Sequence, residues 1–313
     1  MAIYLHHYPA SLFSEKIRLL LGYHGLAWNS VIIPSIMPRP LLMPLSGGYR
    51  KTPVLQIDAN VYCDTKIIAR ALARHCPNHS LYQVGFGAHR VADWADTHLF
   101  QVVVALNFAP EAVASMMAQF SAEEAAAFQQ DRAELTDGAS IFSFTTIAAR
   151  AYVLHYLQEL EDSLDSGCIF GEAPSIADFS VYQCLWFLNN NEVNAELFSG
   201  FPGVVSWMAR ISEFGHGEVT ESTPEQALEA GSAAQPICPR IGNELPEGFR
   251  LGEPVRVTPV DYGRIPVAGT LTAWSRDEIV VAREDPRAGR IMVHFPSAGF
   301  EVIPDQDFSG RPE

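Results

Sequence analysis

The order of hydrophobic patterns in residues 1–82 constrains this chain more than any other feature. Ala2-Ile3-Tyr4-Leu5 reads as a short strand that Pro9 breaks. Ile17, Leu20, Leu21 and His24 then recur at helical spacing, with Ser14 as the expected cap, Glu15 in the first turn and Gly25 as the stop. Residues 28–33 form a second strand-like run rich in β-branched side chains. Pro34, Pro38, Pro40 and Pro44 exclude one regular helix from the stretch that follows. Thr52-Pro53 leads into Val54-Leu55-Gln56-Ile57, and Asp58-Ala59-Asn60 separates that run from Val61-Tyr62-Cys63, which spells a β-hairpin. Asp64-Thr65 opens a helix with Ile67, Ile68, Ala71 and Leu72 on one face, and Pro77 is its expected end. The result is a small mixed α/β domain over residues 1–82.

The pattern changes twice more. Residues 83–216 are helical throughout, with breaks at Pro110, Gly138, 167–174 and 200–202, which predicts an all-α bundle of about five helices. Within it, Ser175-Ile176-Ala177-Asp178 has the form of a capping box. Residues 217–248 are richer in Pro, Gly, Ser and Glu and read as a linker, with one short helix after Thr223-Pro224. Residues 249–313 carry short β-like runs at 255–257, 267–273, 279–281, 291–293 and 300–302, separated by turns. That spacing predicts a small all-β, barrel-like domain.

Charge and composition narrow the partners. A net charge of −15 argues against nucleic acid or an anionic membrane surface as partner. No apolar run reaches the roughly 18 residues of a membrane span, and the start has no basic-then-apolar secretory pattern. The cysteines (Cys63, Cys76, Cys168, Cys184 and Cys238) are scattered and form no C-x-x-C. They read as reduced thiols of a cytoplasmic protein, with no zinc or other metal site, and Cys63 reads as core packing. The first 80 residues hold eight basic and three acidic residues on this acidic chain. Such a segment either handles a small anion or simply carries solvated surface charge.

Four motifs, in order, resemble the glutathione transferase family. Ser11-Leu12-Phe13-Ser14-Glu15-Lys16-Ile17-Arg18 is similar to the start of that family's first helix. Lys51-Thr52-Pro53-Val54-Leu55 resembles its cis-proline loop, and Asp64-Thr65 resembles its acidic-residue-then-serine pair. Ser175-Ile176-Ala177-Asp178 resembles the capping box of its helical domain. The resemblance covers residues 1–215 and leaves the strand-rich C-terminal region outside the family's usual architecture. It implies a thioredoxin-like first domain, a helical second domain, a homodimer, and a detoxifying role in which glutathione as co-substrate meets a small hydrophobic electrophile.

The resemblance also implies roles for particular residues. Ser11 would donate a hydrogen bond to the glutathione thiolate, as in the serine-type branch, with Tyr8 as the rival donor. Pro53 would be cis and present the Thr52 backbone to the cysteinyl unit. Asp64 would meet the α-ammonium and Thr65 the α-carboxylate of the γ-glutamyl unit. Lys51 would meet the glycyl carboxylate, with Arg39 or Arg50 as alternatives. Trp94, His98, Phe108 and Met116 are positional candidates for the electrophile pocket, though at helical spacing they also suit a core. Ser11 and Ser14 stand where redox relatives carry two cysteines, and thiol–disulfide exchange needs sulfur. The competing readings are a non-catalytic binding module, with the C-terminal region as interaction surface, and a glutathione-dependent isomerase or dehalogenase.

Overall fold

The computed structural model describes residues 1–76, 81–118, 120–139, 141, 143–238 and 244–305. Pro77 lies outside them. The first domain holds β1 (Ile3–His7), α1 (Leu12–Tyr23), β2 (Ala27–Ile32), the short α2 (Met43–Ser46), β3 (Val54–Ile57), β4 (Asn60–Cys63) and α3 (Thr65–His75). β1 pairs parallel with β2 and antiparallel with β3, and β3 and β4 form the expected hairpin. This is a thioredoxin-like arrangement. Side chains alternate across a strand, so each strand feeds two cores. Leu5, Leu55 and Ile57 face α1, α3 and the helical domain, whereas Val54, Val61 and Cys63 face the opposite side.

The helical domain runs through α4 (Phe86–Trp94), a π-helical segment (Ala95–Leu99), α5 (Phe100–Asn107), α6 (Pro110–Met117), α7 (Ala122–Thr136), α8 (Thr146–Glu161), α9 (Ile176–Asn189), α10 (Glu192–Ala195), a 3₁₀ turn (Glu196–Phe198) and α11 (Pro202–Ser212). Among the described residues no single helix is long and apolar enough to cross a membrane. The buried α9 is the axis of the domain. Asp178 in its first turn is fully buried and accepts four bonds, from the Ser175 N–H and Oγ–H, the Ile169 N–H and the Trp207 indole. A buried carboxylate with four donors is satisfied without a counter-ion. Lys16 on α1 crosses to the helical domain, where its ammonium meets Asp96 at 2.6 Å. Gln183 of α9 donates to the same carboxylate, also at 2.6 Å.

The strand-rich C-terminal region comprises β6 (Pro254–Pro259), β7 (Val267–Trp274), β8 (Glu278–Asp285), β9 (Gly289–Pro296) and β10 (Phe300–Pro304). It is not set apart as a closed barrel. β9 pairs parallel with β4, so one ten-stranded sheet runs β10-β6-β7-β8-β9-β4-β3-β1-β2-β5. The physical reason is visible in the alternation. Val255, Val257, Val267, Leu271, Ile279, Val281 and Val293 join the same core as Val54, Val61 and Cys63, which strand closure on itself would separate. A buried His–Glu pair with an exposed arginine stitches the junction: His294 Nδ1 lies 2.7 Å from Glu278 Oε1, and Arg74 of α3 bonds Glu278 Oε2 at 2.7 Å.

The first part of the segment expected as a linker is structured as well. It provides β5 (Glu218–Ser222), which pairs parallel with β2 at the far edge, and then α12 (Pro224–Ala233), capped by Thr223 and Gln226. α12 lies on the sheet through Gln56, whose amide donates to Ala227 O at 2.8 Å. Gly231 allows this approach, because a Cβ there would stand 2.9 Å from Leu45 Cδ2.

Candidate active site

Ser11 caps α1. The helix begins at Leu12, earlier than the sequence suggested, and Ser11 rather than Ser14 is the N-cap. Ser11 Oγ accepts the Ser14 N–H at 3.2 Å. Its backbone is extended, as an N-cap requires, and Pro9 keeps the preceding turn out of the helix. The oxygen is thus engaged as an acceptor, while the hydroxyl proton has no protein acceptor among the described residues. Ser11 and Tyr8 both line a cleft of about 560 Å³ between the first domain and the helices.

The neighbouring histidines are kept neutral. His6 is bonded to Gln56 at 3.0 Å, and burial pulls its pKa down to about 4. His7 bonds Ser30 and Arg18, and burial together with the Arg18 charge lowers its pKa to about 3. Neither faces the cleft. Their role is to anchor β1 beneath Ser11.

A second, smaller cavity of about 140 Å³ adjoins the cleft and is lined by Lys51, Thr52, Pro53, Asp64 and Thr65. Thr52–Pro53 is cis, and so is Met37–Pro38. The β1–β3 ladder ends at the His6–Val54 pair, so the Thr52 main chain lies beyond it. Asp64 caps α3 by accepting the Lys66 N–H at 2.9 Å, and it does so at φ +96°, an unfavourable conformation for a residue with a Cβ. Burial raises the Asp64 pKa, and the Lys51 and Lys66 charges offset part of that rise. Cys63 beside it is fully buried, and burial pushes its thiol well up, so it packs rather than reacts.

The structure therefore brings Ser11, Lys51, Thr52, Pro53, Asp64 and Thr65 to two adjoining cavities, with Lys51 and Thr52 lining both. Four residues here carried no sequence signal. Asp96 and Thr97 enter from the π-helical segment. Asp261 and Tyr262 come from the β6–β7 loop, read from sequence only as a turn. Tyr262 stands between the cavities, its ring stacked on Phe100 at 6.0 Å and covered by Lys51 Nζ at 4.1 Å from the ring centroid.

Residues 5–80 match the family described as Glutathione S-transferase, N-terminal domain, and residues 111–210 match Glutathione S-transferase, C-terminal domain. The crystal structure of a GST-like protein from Pseudomonas syringae superposes with a TM-score of 0.80 at 39% identity, over 96% of this chain and 99% of that one. The chain belongs to the glutathione S-transferase family. A glutathione S-transferase from Rhodospirillum rubrum F11 shares the fold at a TM-score of 0.51 and 17% identity, over 67% of this chain and 87% of that one. No curated protein sequence matches the chain.

In this transferase fold one wall of the cleft is apolar. Phe108 and Met116 line it, joined by Phe100, Met117, Phe128 and Phe187. Trp94 and His98 do not. Trp94 packs edge-on against Tyr156 at 4.9 Å, and His98 Nε2 meets the Tyr156 hydroxyl at 3.2 Å, both on the α8 side of the helix. Both pack among aromatic side chains, the alternative that their helical spacing also allowed.

Arg39 and Arg50 also line the cleft, and both are bonded within the protein. Arg39 donates to Pro34 O, Ser35 O, Arg50 O and Thr52 Oγ1, holding the proline-rich stretch against the cis-proline loop. Arg50 bonds Asp131 at 2.8 Å, and that carboxylate also takes Arg132 at 2.6 Å.

Proposed function

We propose that the protein transfers the glutathione sulfur to a small hydrophobic electrophile, with Ser11 holding the thiolate. The observation that carries this reading is the state of the Ser11 hydroxyl. Its oxygen accepts from the Ser14 N–H, which orients the group, and its own proton remains for a ligand in the cleft. Serine is not a base here. A hydrogen bond to an anion contributes about 1.5–3 kcal/mol, enough to lower a thiol pKa by one to two units. The N–H groups of the first turn of α1 add favourable potential for the same charge. The thiolate then attacks an electrophilic carbon. A C–S bond forms, the leaving group departs with its electron pair, and the thiol proton has already gone to solvent.

The other residues supply orientation. The Thr52 N–H and C=O, beyond the ladder, suit strand-like pairing with the cysteinyl unit. Asp64 suits the α-ammonium, and Thr65 at the α3 N-terminus suits the α-carboxylate. The apolar wall formed by Phe108, Met116 and Phe187 suits an aromatic or alkyl electrophile.

The test is turnover of a chloro-nitroaromatic with glutathione, together with the ultraviolet titration of the bound thiolate. Ser11→Ala is expected to lower kcat/KM by about ten- to a hundredfold and to return the thiol midpoint towards its free value near 8.5. Tyr8→Phe is expected to change neither by more than about threefold. An unchanged midpoint in Ser11→Ala would remove serine from the mechanism. Binding without turnover in the wild type would favour a glutathione-binding module.

A further inference from the structure

Every cation that lines the two cavities among the described residues already has a partner. Arg39 is committed to three carbonyls and a hydroxyl. Arg50 and Arg132 share Asp131. Lys66 meets Asp93 at 2.7 Å. Lys51 is the residue best placed for the third unit of a tripeptide thiol, since it precedes the cis-proline loop and lines both cavities. It is held by Asp261 at 2.5 Å.

Asp261 belongs to the strand-rich C-terminal region, outside the parts of the chain that match the two transferase domain families. Its loop is firmly docked. The Gly263 N–H donates to Leu135 O at the end of α7 at 2.8 Å, and the Val260 N–H donates to Gly299 O at 3.1 Å. Gly263 takes φ +58°, and a Cβ there would stand 3.1 Å from Leu135 Cδ1. The Lys51 side chain is mostly buried, at 11% exposure, between Asp261 and the Tyr262 ring. Its charge is therefore met by a carboxylate and a ring face before any ligand arrives. An incoming carboxylate would approach Asp261 as well as Lys51, and like charges repel.

Resting on the thiol-site reading above, we propose that Asp261 determines co-substrate specificity. By neutralising Lys51 it removes the preference for a carboxylate at the third unit. The site then accepts γ-glutamyl-cysteinyl thiols with an uncharged end at least as well as it accepts glutathione. The γ-glutamyl half, read by Asp64 and Thr65, carries the recognition.

Calorimetric titration of the full chain with glutathione and with its glycyl monoethyl ester tests this. The wild type is expected to bind the two within about threefold, and Asp261→Asn is expected to tighten glutathione by about five- to tenfold while leaving the ester unchanged. A wild type that prefers glutathione over the ester by about tenfold or more overturns the proposal, as does an Asp261→Asn protein of unaltered thermal stability whose glutathione affinity is unchanged or weaker. The wild-type ratio needs no variant, so misfolding of Asp261→Asn leaves the proposal testable. Failure of both thiols to bind the wild type sinks the thiol-site reading itself, an outcome separate from equal strengthening of both in the variant, which overturns the role of Asp261 alone.

Discussion

At Asp64 a carboxylate sits at φ +96° in the turn between β4 and α3. Such a conformation costs on the order of 1–3 kcal/mol in a residue with a Cβ and persists where the surroundings fix it. The N-cap bond to Lys66 fixes it here and aims the side chain into the small cavity. Burial places its pKa above the usual carboxylate value. An α-ammonium ligand binds the ionised form, so affinity is complete above that raised pKa and falls as pH drops through it. Each pH unit below it costs up to about tenfold in affinity. Calorimetry carried downward from about pH 7 should show glutathione weakening at a higher pH than an ordinary carboxylate would cause, and a flatter profile in Asp64→Asn, which keeps the capping oxygen. Parallel profiles would show that Asp64 does not read the ammonium. The pair Asp64-Thr65 was legible in the sequence because a cap has a local signature. The partner Asp261 was not, because a turn motif says nothing about which distant helix it touches.

At the scale of elements, local periodicity read well where the element is regular and buried. The hairpin β3–β4, the helix α3 and the strands β6 to β10 lie where alternation and helical spacing put them. β5 escaped because Glu218-Val219-Thr220-Glu221-Ser222 is a polar edge strand with no buried face, the kind of strand whose charges discourage further pairing. The pairing of β9 with β4 escaped because parallel register links residues about 230 positions apart and leaves no local mark. α1 illustrates a contact that sequence hides as well. A Cβ on Gly22 would lie 2.1 Å from Gly215 O and 2.4 Å from Phe214 O, where the chain turns from α11 toward β5. Both are backbone atoms, so neither can swing aside. Gly22→Ala should therefore lose about 2–3 kcal/mol in urea unfolding, as overpacking does. Gly200→Ala, at a site with nothing within 4 Å of the new methyl, should stay within about 0.5 kcal/mol. Equal losses at the two positions would mean that α1 does not press on that turn.

Across the whole molecule, one continuous sheet joins the candidate site to the C-terminal region, and its buried histidines are all shifted in the same direction. His6 and His7 on β1 have pKa values of about 4 and about 3, both lowered chiefly by burial. His294 on β9 is lowered by burial too, against the pull of Glu278. In the unfolded chain each histidine takes a proton near pH 6.5, so the unfolded state binds more protons below that value. Their contribution to stability is complete above about pH 6.5 and is lost as pH falls toward the folded values. Glu15 and Glu278 add to the same trend. Burial opposes their ionisation, but His216 and Arg18 around Glu15, and His294 and Arg74 around Glu278, hold both below the usual carboxylate range. Their stabilisation is present above the unfolded carboxylate value and disappears below it. Each histidine that must take up a proton on unfolding contributes a slope of up to about 1.4 kcal/mol per pH unit. The urea midpoint should accordingly be level above about pH 7 and fall continuously below about pH 6, before ordinary carboxylates titrate. Because Glu278 and His294 tie β8 and β9 to α3 through Arg74, the C-terminal strands and the first domain should lose structure in one transition. A midpoint that holds level from about pH 7 down to about pH 4.5 would show that the buried imidazoles do not control acid unfolding, and two separated transitions would show that the sheet is not one cooperative unit.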